Sequence, residues 1–317
     1  MFSPAALTPR ASKNFKVHIS VSLCPKEHIN SHSKEELCTA IAEGSYPVPY
    51  RTRKSSPPAS VPVLWCESPR ERPSLCHSPS PPRNKILMID AVNSGVKMPI
   101  STGDILGHSQ VGVYLSVVGD VLFIPSTLED EIANEIESSF DMESHRITIG
   151  GSALLGSLIR GNKKGVAVAD IATQDDLDEL SSFGDVVILE SGVNAAGNLI
   201  ECNDKGAIVS PTIPVAGAEM ISDVLSVTAI RSQVAGHGTV GSMMVANNNG
   251  VLIHPDVKSA EAEAIEQAMQ APVMVGTVTF GSPFVGAGCC ASDTHALVGS
   301  GSTGPELNRI EDALGLI

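Results

Sequence analysis

At 317 residues, with 42% apolar against 18% charged, the chain can bury a large core, which excludes disorder throughout. Aromatics are only 3%, so that core must be built from Val, Ile, Leu, Ala and Gly. The formal net charge of −14 repels nucleic-acid phosphate and excludes general DNA binding.

The charge is unevenly spread. Residues 1–85 hold 12 basic and 6 acidic side chains, net +6, whereas residues 86–317 hold 9 basic and 29 acidic, net −20. The first segment also carries 13 of the 21 prolines, the only Trp (Trp65) and four of the seven cysteines. Proline fixes φ and removes a backbone donor in runs such as Lys54-Ser-Ser-Pro-Pro58 and Cys76-His-Ser-Pro-Ser-Pro-Pro82. Residues 1–97 are therefore expected to be a disordered, low-complexity extension with at most a short helix near 34–42. Two accounts of it stay open: an organellar presequence, or an in-frame stretch ahead of a start at Met88 or Met98. Cys24-x3-His28-x3-His32 lacks paired zinc-ligand spacing, so no metal site is expected. Three scattered cysteines, Cys202, Cys289 and Cys290, fit a reducing, cytoplasmic compartment, and no run of 18 apolar residues predicts a membrane span.

From residue 98 onward one pattern recurs five times: Gly-x4-Gly. It reads Gly107-His-Ser-Gln-Val-Gly112, Gly151-Ser-Ala-Leu-Leu-Gly156, Gly192-Val-Asn-Ala-Ala-Gly197, Gly236-His-Gly-Thr-Val-Gly241 and Gly281-Ser-Pro-Phe-Val-Gly286. The second glycines are 44, 41, 44 and 45 residues apart, so the five share a register. Behind each comes an apolar run, a polar turn and a second apolar run, which predicts a β-hairpin. Its turns, at 162–165, 203–206 and 247–250, place Asn and Gly where positive φ is needed.

An amphipathic helix is predicted after each hairpin; Leu128, Ile132, Ile136 and Phe140, four apart, mark the first. Further strands are predicted over 146–149, 186–189, 227–230 and 273–278. The fifth unit lacks such a strand at its end, while residues 100–106 supply a spare one at the start. Closing the chain into a ring pairs the two. The expected fold is α/β: five ββαβ-like units over residues 98–317 around a pseudo-fivefold axis, with the repeated glycines where backbones crowd near it.

Gly276-Thr-Val-Thr-Phe-Gly281-Ser-Pro-Phe-Val-Gly286, Thr303-Gly-Pro-Glu-Leu-Asn-Arg-Ile-Glu-Asp-Ala-Leu-Gly315 and Ala196-Gly-Asn-Leu-Ile200 with Asn203-Asp204 closely resemble the archaeal translation initiation factor 6 family. The likeness runs from about residue 100 to the C-terminus. It implies a closed five-bladed pentein-like propeller that binds the large ribosomal subunit and sterically keeps the small one away, as a cytoplasmic monomer with no cofactor, metal or catalytic residue. The net −20 adds that the main partner is a basic ribosomal protein, with limited rRNA contact. Carried over where motifs align, strand starts and hairpin turns give Asn162, Gly197, Asn198, Asn203, Asp204, Met243 and Phe284 as ribosome-binding candidates. Turn geometry is the competing reading of Asn162 and Asn203. Met243 stands where eukaryotic relatives tend to have Tyr.

The alternative is a pentein-type guanidine-modifying enzyme with a Cys nucleophile. Cys202 precedes a turn and Cys289-Cys290 lie in a strand, neither a setting that lowers a thiol pKa. Gly236-His-Gly-Thr-Val-Gly241 matches a dinucleotide fingerprint, but it is expected to run into a strand over 242–246 rather than a helix.

Overall fold

The computed structural model describes residues 14–18, 98–190 and 195–316. The chain divides into two units, Met1–Ser20 with Ser80–Ile317, and Val21–Pro79; everything described belongs to the first. Of the extension, only strand β1 (Asn14–His18) is described, and it pairs in parallel with β8 (Asp185–Glu190). It takes the edge of β8 that β7 (Gly165–Ala169), bonded on the other side, leaves open. The helix expected near 34–42, Trp65, the first four cysteines and Gly192 lie outside the described residues.

The repeated element is a one-turn helix, a hairpin of two short strands, a longer helix and a strand parallel to the second hairpin strand. In the first unit these are α1 (Val111–Tyr114), β3 (Ser116–Val118), β4 (Val121–Pro125), α2 (Asp130–Phe140) and β5 (Glu143–Ile147). The second is α3 (Leu155–Leu158), β6 (Ile159–Gly161), β7 (Gly165–Ala169), α4 (Gln174–Leu180) and β8. The third is α5 (Ala196–Leu199), β9 (Ile200–Cys202), β10 (Gly206–Val209), α6 (Val215–Leu225) and β11 (Thr228–Arg231). The fourth is α7 (Val240–Met243), β12 (Met244–Ala246), β13 (Val251–Ile253), α8 (Ser259–Met269) and β14 (Val273–Val275). The fifth has α9 (Val285–Gly288), β15 (Cys289–Ala291), β16 (Ala296–Gly299) and α10 (Gly304–Leu314). Its missing strand is β2 (Ile100–Gly103), paired in parallel with β16 from Ala296↔Ile100 to Gly299↔Gly103. The first two units share one seven-stranded sheet through the single bridge Val118↔Gly161; the others form three-stranded sheets.

The one-turn helices correct the expectation of strands starting at the second glycines. The segment 242–246, expected as strand throughout, is helix to Met243 and strand only from Met244. Four helical residues are too few to show a 3.6-residue period, so hydrophobic patterning could not reveal them. The second glycines sit inside these helices, where backbones meet. A Cβ on Gly156 would lie 1.9 Å from the Gly112 carbonyl oxygen, on Gly197 2.0 Å from that of Gly156, and on Gly241 2.0 Å from that of Gly197. On Gly286 it would lie 2.1 Å from the Gly241 oxygen, and on Gly112 2.2 Å from the Gly286 oxygen, which returns the series to its start.

The four first glycines among the described residues do a different job. Gly107, Gly151, Gly236 and Gly281 have φ between 76° and 93° in tight turns, and space is open around the last three.

The apolar residues form five clusters rather than one core, each shared by two units adjacent in the glycine series. Phe123 and Ile147 of the first unit pack with Leu155 and Ile159 of the second, and Ala167 and Leu189 of the second with Ile221 and Leu225 of the third. Ile208 of the third joins Ile265 of the fourth, Leu252 of the fourth joins Ile310 of the fifth, and Leu297 of the fifth joins Ile136 and Phe140 of the first. Burying each such side chain stabilises the fold by about 1.5–3 kcal/mol. Among the described residues no helix is long and apolar enough to cross a membrane.

Candidate functional site

Each inner strand, β3, β6, β9, β12 or β15, joins a one-turn helix at one end to a hairpin turn at the other, and the seven sequence-derived candidates divide between these two ends. Asn162, Asn203 and Asp204 are at the turns; Gly197, Asn198, Met243 and Phe284 are at the helices.

The turn end is a ladder. Asn203 is buried; its Nδ2 donates to the carbonyls of Asn247 (3.0 Å) and Met269 (2.9 Å), and its Oδ1 accepts from the backbone N–H of Lys205 and Gly206. Asn162 repeats this on the Asn203 and Leu225 carbonyls, and Asn247, which the site prediction did not include, on those of Ser292 and Leu314. The amides of Asn162 and Asn203 are thus fully engaged within the chain. One residue further along, the Lys163 N–H donates to Asp204 Oδ1, the Asp204 N–H to Asn248 Oδ1, and the Asn248 N–H to Asp293 Oδ1. Asp204 keeps part of its carboxylate in solvent, 28% exposed.

At the helix end, Gly197 is buried against its neighbour, while Asn198 is half-buried with its Oδ1 accepting from the Ser242 hydroxyl at 3.1 Å. Met243 is buried and Phe284 is 46% exposed. Both border a groove of about 340 Å³ whose other walls include Gln110, Thr239, Ser242 and Thr279, with no charged side chain among the lining residues. Phe280, missed in the sequence, stands 82% exposed nearby in the chain, on a turn where its φ is +61°.

That turn is held by a carboxylate. Glu306, third residue of α10, accepts from the Thr303 N–H (2.7 Å), the Gly281 N–H (2.8 Å) and the hydroxyls of Thr277 and Thr303. Asp176 of α4 and Glu261 of α8 likewise accept from the Gly150 and Ala235 N–H. Acidic residues in a helix's first turn signal a helix start, so their reach to a turn 26 residues earlier had no sequence signature.

Burial pushes the Glu306 carboxyl up, but the donors from Thr303, Gly281 and Thr277 outweigh it and hold it below its ordinary 4.5. Its contribution is therefore present above that value and lost as pH falls through the lowered one. Glu306→Gln should cost about 1–3 kcal/mol at neutral pH and give a shallower loss of stability in acid, read by denaturant titration.

All five inner strands line a second cavity, about 50 Å³, which contains Arg160, Glu201, Cys202, Cys289 and Cys290. The three thiols are free and buried. Burial pushes each up, Cys290 to about 12 against a pull from Arg160, so none is a thiolate at neutral pH. Gly241, expected to run into a strand, lies within a single helical turn that a strand follows, which is no βαβ dinucleotide context. No cluster of three or more metal-ligating side chains occurs among the described residues.

The model of the eIF-6 family matches residues 100–313. The chain is similar to translation initiation factor 6 of Methanospirillum hungatei, 37% identical over 211 residues that cover 67% of this chain and 96% of that protein. It is similar to the protein of the same name from Natronomonas pharaonis, 41% identical over 213 residues covering 67% and 96%. That of Picrophilus torridus is 36% identical over 211 residues, covering 66% and 97%.

Proposed function

Because the chain belongs to the eIF-6 family, its match spanning all five repeats, we propose that it is a translation factor that binds the large ribosomal subunit and sterically prevents the small one from joining. The architecture proposed for this is a closed, five-bladed pseudo-symmetric α/β propeller over residues 98–317, acting in the cytoplasm as a monomer without bond chemistry. Supporting it are the glycine contacts that return to their start, the five clusters each shared by adjacent units, and β2 in the fifth unit.

The observation that carries the docking assignment is the uncharged, open groove at the helix end beside Phe284, on a body of net −20. An apolar centre on an acidic body suits a basic ribosomal protein with limited rRNA contact. Asn198, Phe284 and the groove wall at Met243 are the proposed contacts, with Gly197 letting the helix lie close to its neighbour. Asn162 and Asn203 would shape the opposite end without touching the partner, and Asp204 offers only a partly exposed carboxylate there.

Light scattering of mixed subunits tests the proposal. The chain should suppress their association, and Asn198→Trp should weaken that suppression about tenfold or more while leaving the thermal midpoint nearly unchanged. Full suppression by Asn198→Trp removes the helix end from the interface; no suppression by the natural chain removes the function.

A further inference from the structure

Glu201 is the charged residue of an otherwise apolar inner strand, Ile200-Glu201-Cys202, and its side chain is only 2% exposed. Its Oε1 accepts from the Ala246 N–H of β12 at 3.2 Å, while Oε2 has no hydrogen-bond partner. Arg160 of β6 approaches Oε2 to 3.4 Å with Nη2, which also donates to the Gly197 carbonyl of α5, and its Nε is unpartnered. The pair therefore ties together the second, third and fourth repeats, and both residues line the 50 Å³ cavity.

We propose that Arg160 and Glu201 form a proton-operated staple of the inner wall: uptake of one proton by the Glu201 carboxyl tightens the packing of these three repeats, and its release loosens it. An ionised carboxylate here is stripped of water, and its one cation approaches without a hydrogen bond to repay that loss. A neutral carboxyl avoids the cost, and Arg160 keeps the Gly197 carbonyl as its acceptor.

Other groups around the cavity do not supply the missing charge. Cys202, Cys289 and Cys290 stay protonated, and the carboxyls of Asp204 and Asp293 lie at its turn end, where they bond the hairpin turns. Burial, opposed by Arg160 and the Ala246 N–H, pushes Glu201 up from 4.5 to about 7. Between those values the folded chain holds a proton that the unfolded chain has released, so stability falls as pH rises across the interval.

Denaturant unfolding of the full chain at pH 5 and pH 8, natural and E201Q, reads the staple directly. E201Q keeps the acceptor for Ala246 but cannot ionise. The folding equilibrium constant of the natural chain should drop on the order of a hundredfold more than that of E201Q between the two pH values. His254, whose pKa burial lowers, acts in the opposite direction but is common to both chains and cancels. Equal pH dependence in the two overturns the inference. Should E201Q fail to fold, the carboxyl carbon resonance of Glu201 in the natural chain decides: a titration midpoint near 7 supports the staple, and one near 4.5 overturns it.

Discussion

Gly197→Ala should destabilise the chain by at least about 3 kcal/mol, and Gly197→Val should abolish folding. The added Cβ would lie 2.0 Å from the Gly156 oxygen and 2.9 Å from that of Ile159, both backbone atoms of the adjacent unit. A flexible side chain could swing aside; two carbonyls fixed in a helix and at a strand start cannot. Relief at this seam would push α5 against α7, where the Gly197 oxygen already lies 2.0 Å from a Cβ built on Gly241. Gly236→Ala is the internal control. Its φ is +80° but nothing lies within 4 Å of the added carbon, so its cost should stay near the 1–2 kcal/mol of left-handed backbone. Denaturant midpoints of the two variants, compared at equal slope, check both values.

Asn203→Ala should lower stability by about 3–5 kcal/mol, a larger loss than Asn198→Ala. The substitution strips the donor from the Asn247 and Met269 carbonyls and the acceptor from the Lys205 and Gly206 N–H groups. These groups belong to three separate places in the chain, the hairpin turn of the third repeat, that of the fourth, and the end of α8. The loss should therefore spread beyond one turn. Hydrogen exchange checks this: the amides of residues 205, 206 and 251–253 should all exchange faster in Asn203→Ala. Acceleration confined to 205 and 206 would reduce Asn203 to a local turn residue.

How much of this was legible in the sequence depends on distance along the chain. Hairpin turns were readable because each Asn accepts from its own backbone, but the positive φ expected there is not found: a Cβ on Gly206 or Gly250 would instead lie 1.8 or 1.9 Å from the carbonyl oxygen of Ala268 or Ala313, so close packing is what requires glycine. The pairing of the strand beginning at Ile100 with the fifth unit followed from a spare strand and a missing one. Strand limits shifted modestly: β5 begins at Glu143 rather than near 146, because polar residues on a strand with a solvent-facing side carry little apolar signal. Illegible were contacts between residues 41 to 67 apart, such as Asn162 to Leu225 or Asn247 to Leu314, which exist only once two repeats stand side by side. The same holds for the Arg160–Glu201 pair, each charge alone in a short buried strand.

Among the candidates, Asn198 and Phe284 kept side-chain surface at the helix end, while Asn162 and Asn203 turned inward. The asparagine at a hairpin corner and the asparagine after a glycine look alike as letters; what separates them is whether a neighbouring carbonyl is in reach. Phe280 escaped notice because an aromatic residue at positive φ on an exposed turn contradicts ordinary patterning.

Co-sedimentation of the purified chain with isolated large and small ribosomal subunits, at matched salt, puts the whole account to its most direct test. The chain should pellet with the large subunit, saturate near one copy per particle, and stay in the supernatant with the small one. Equal recovery with both subunits, or with neither, would contradict it.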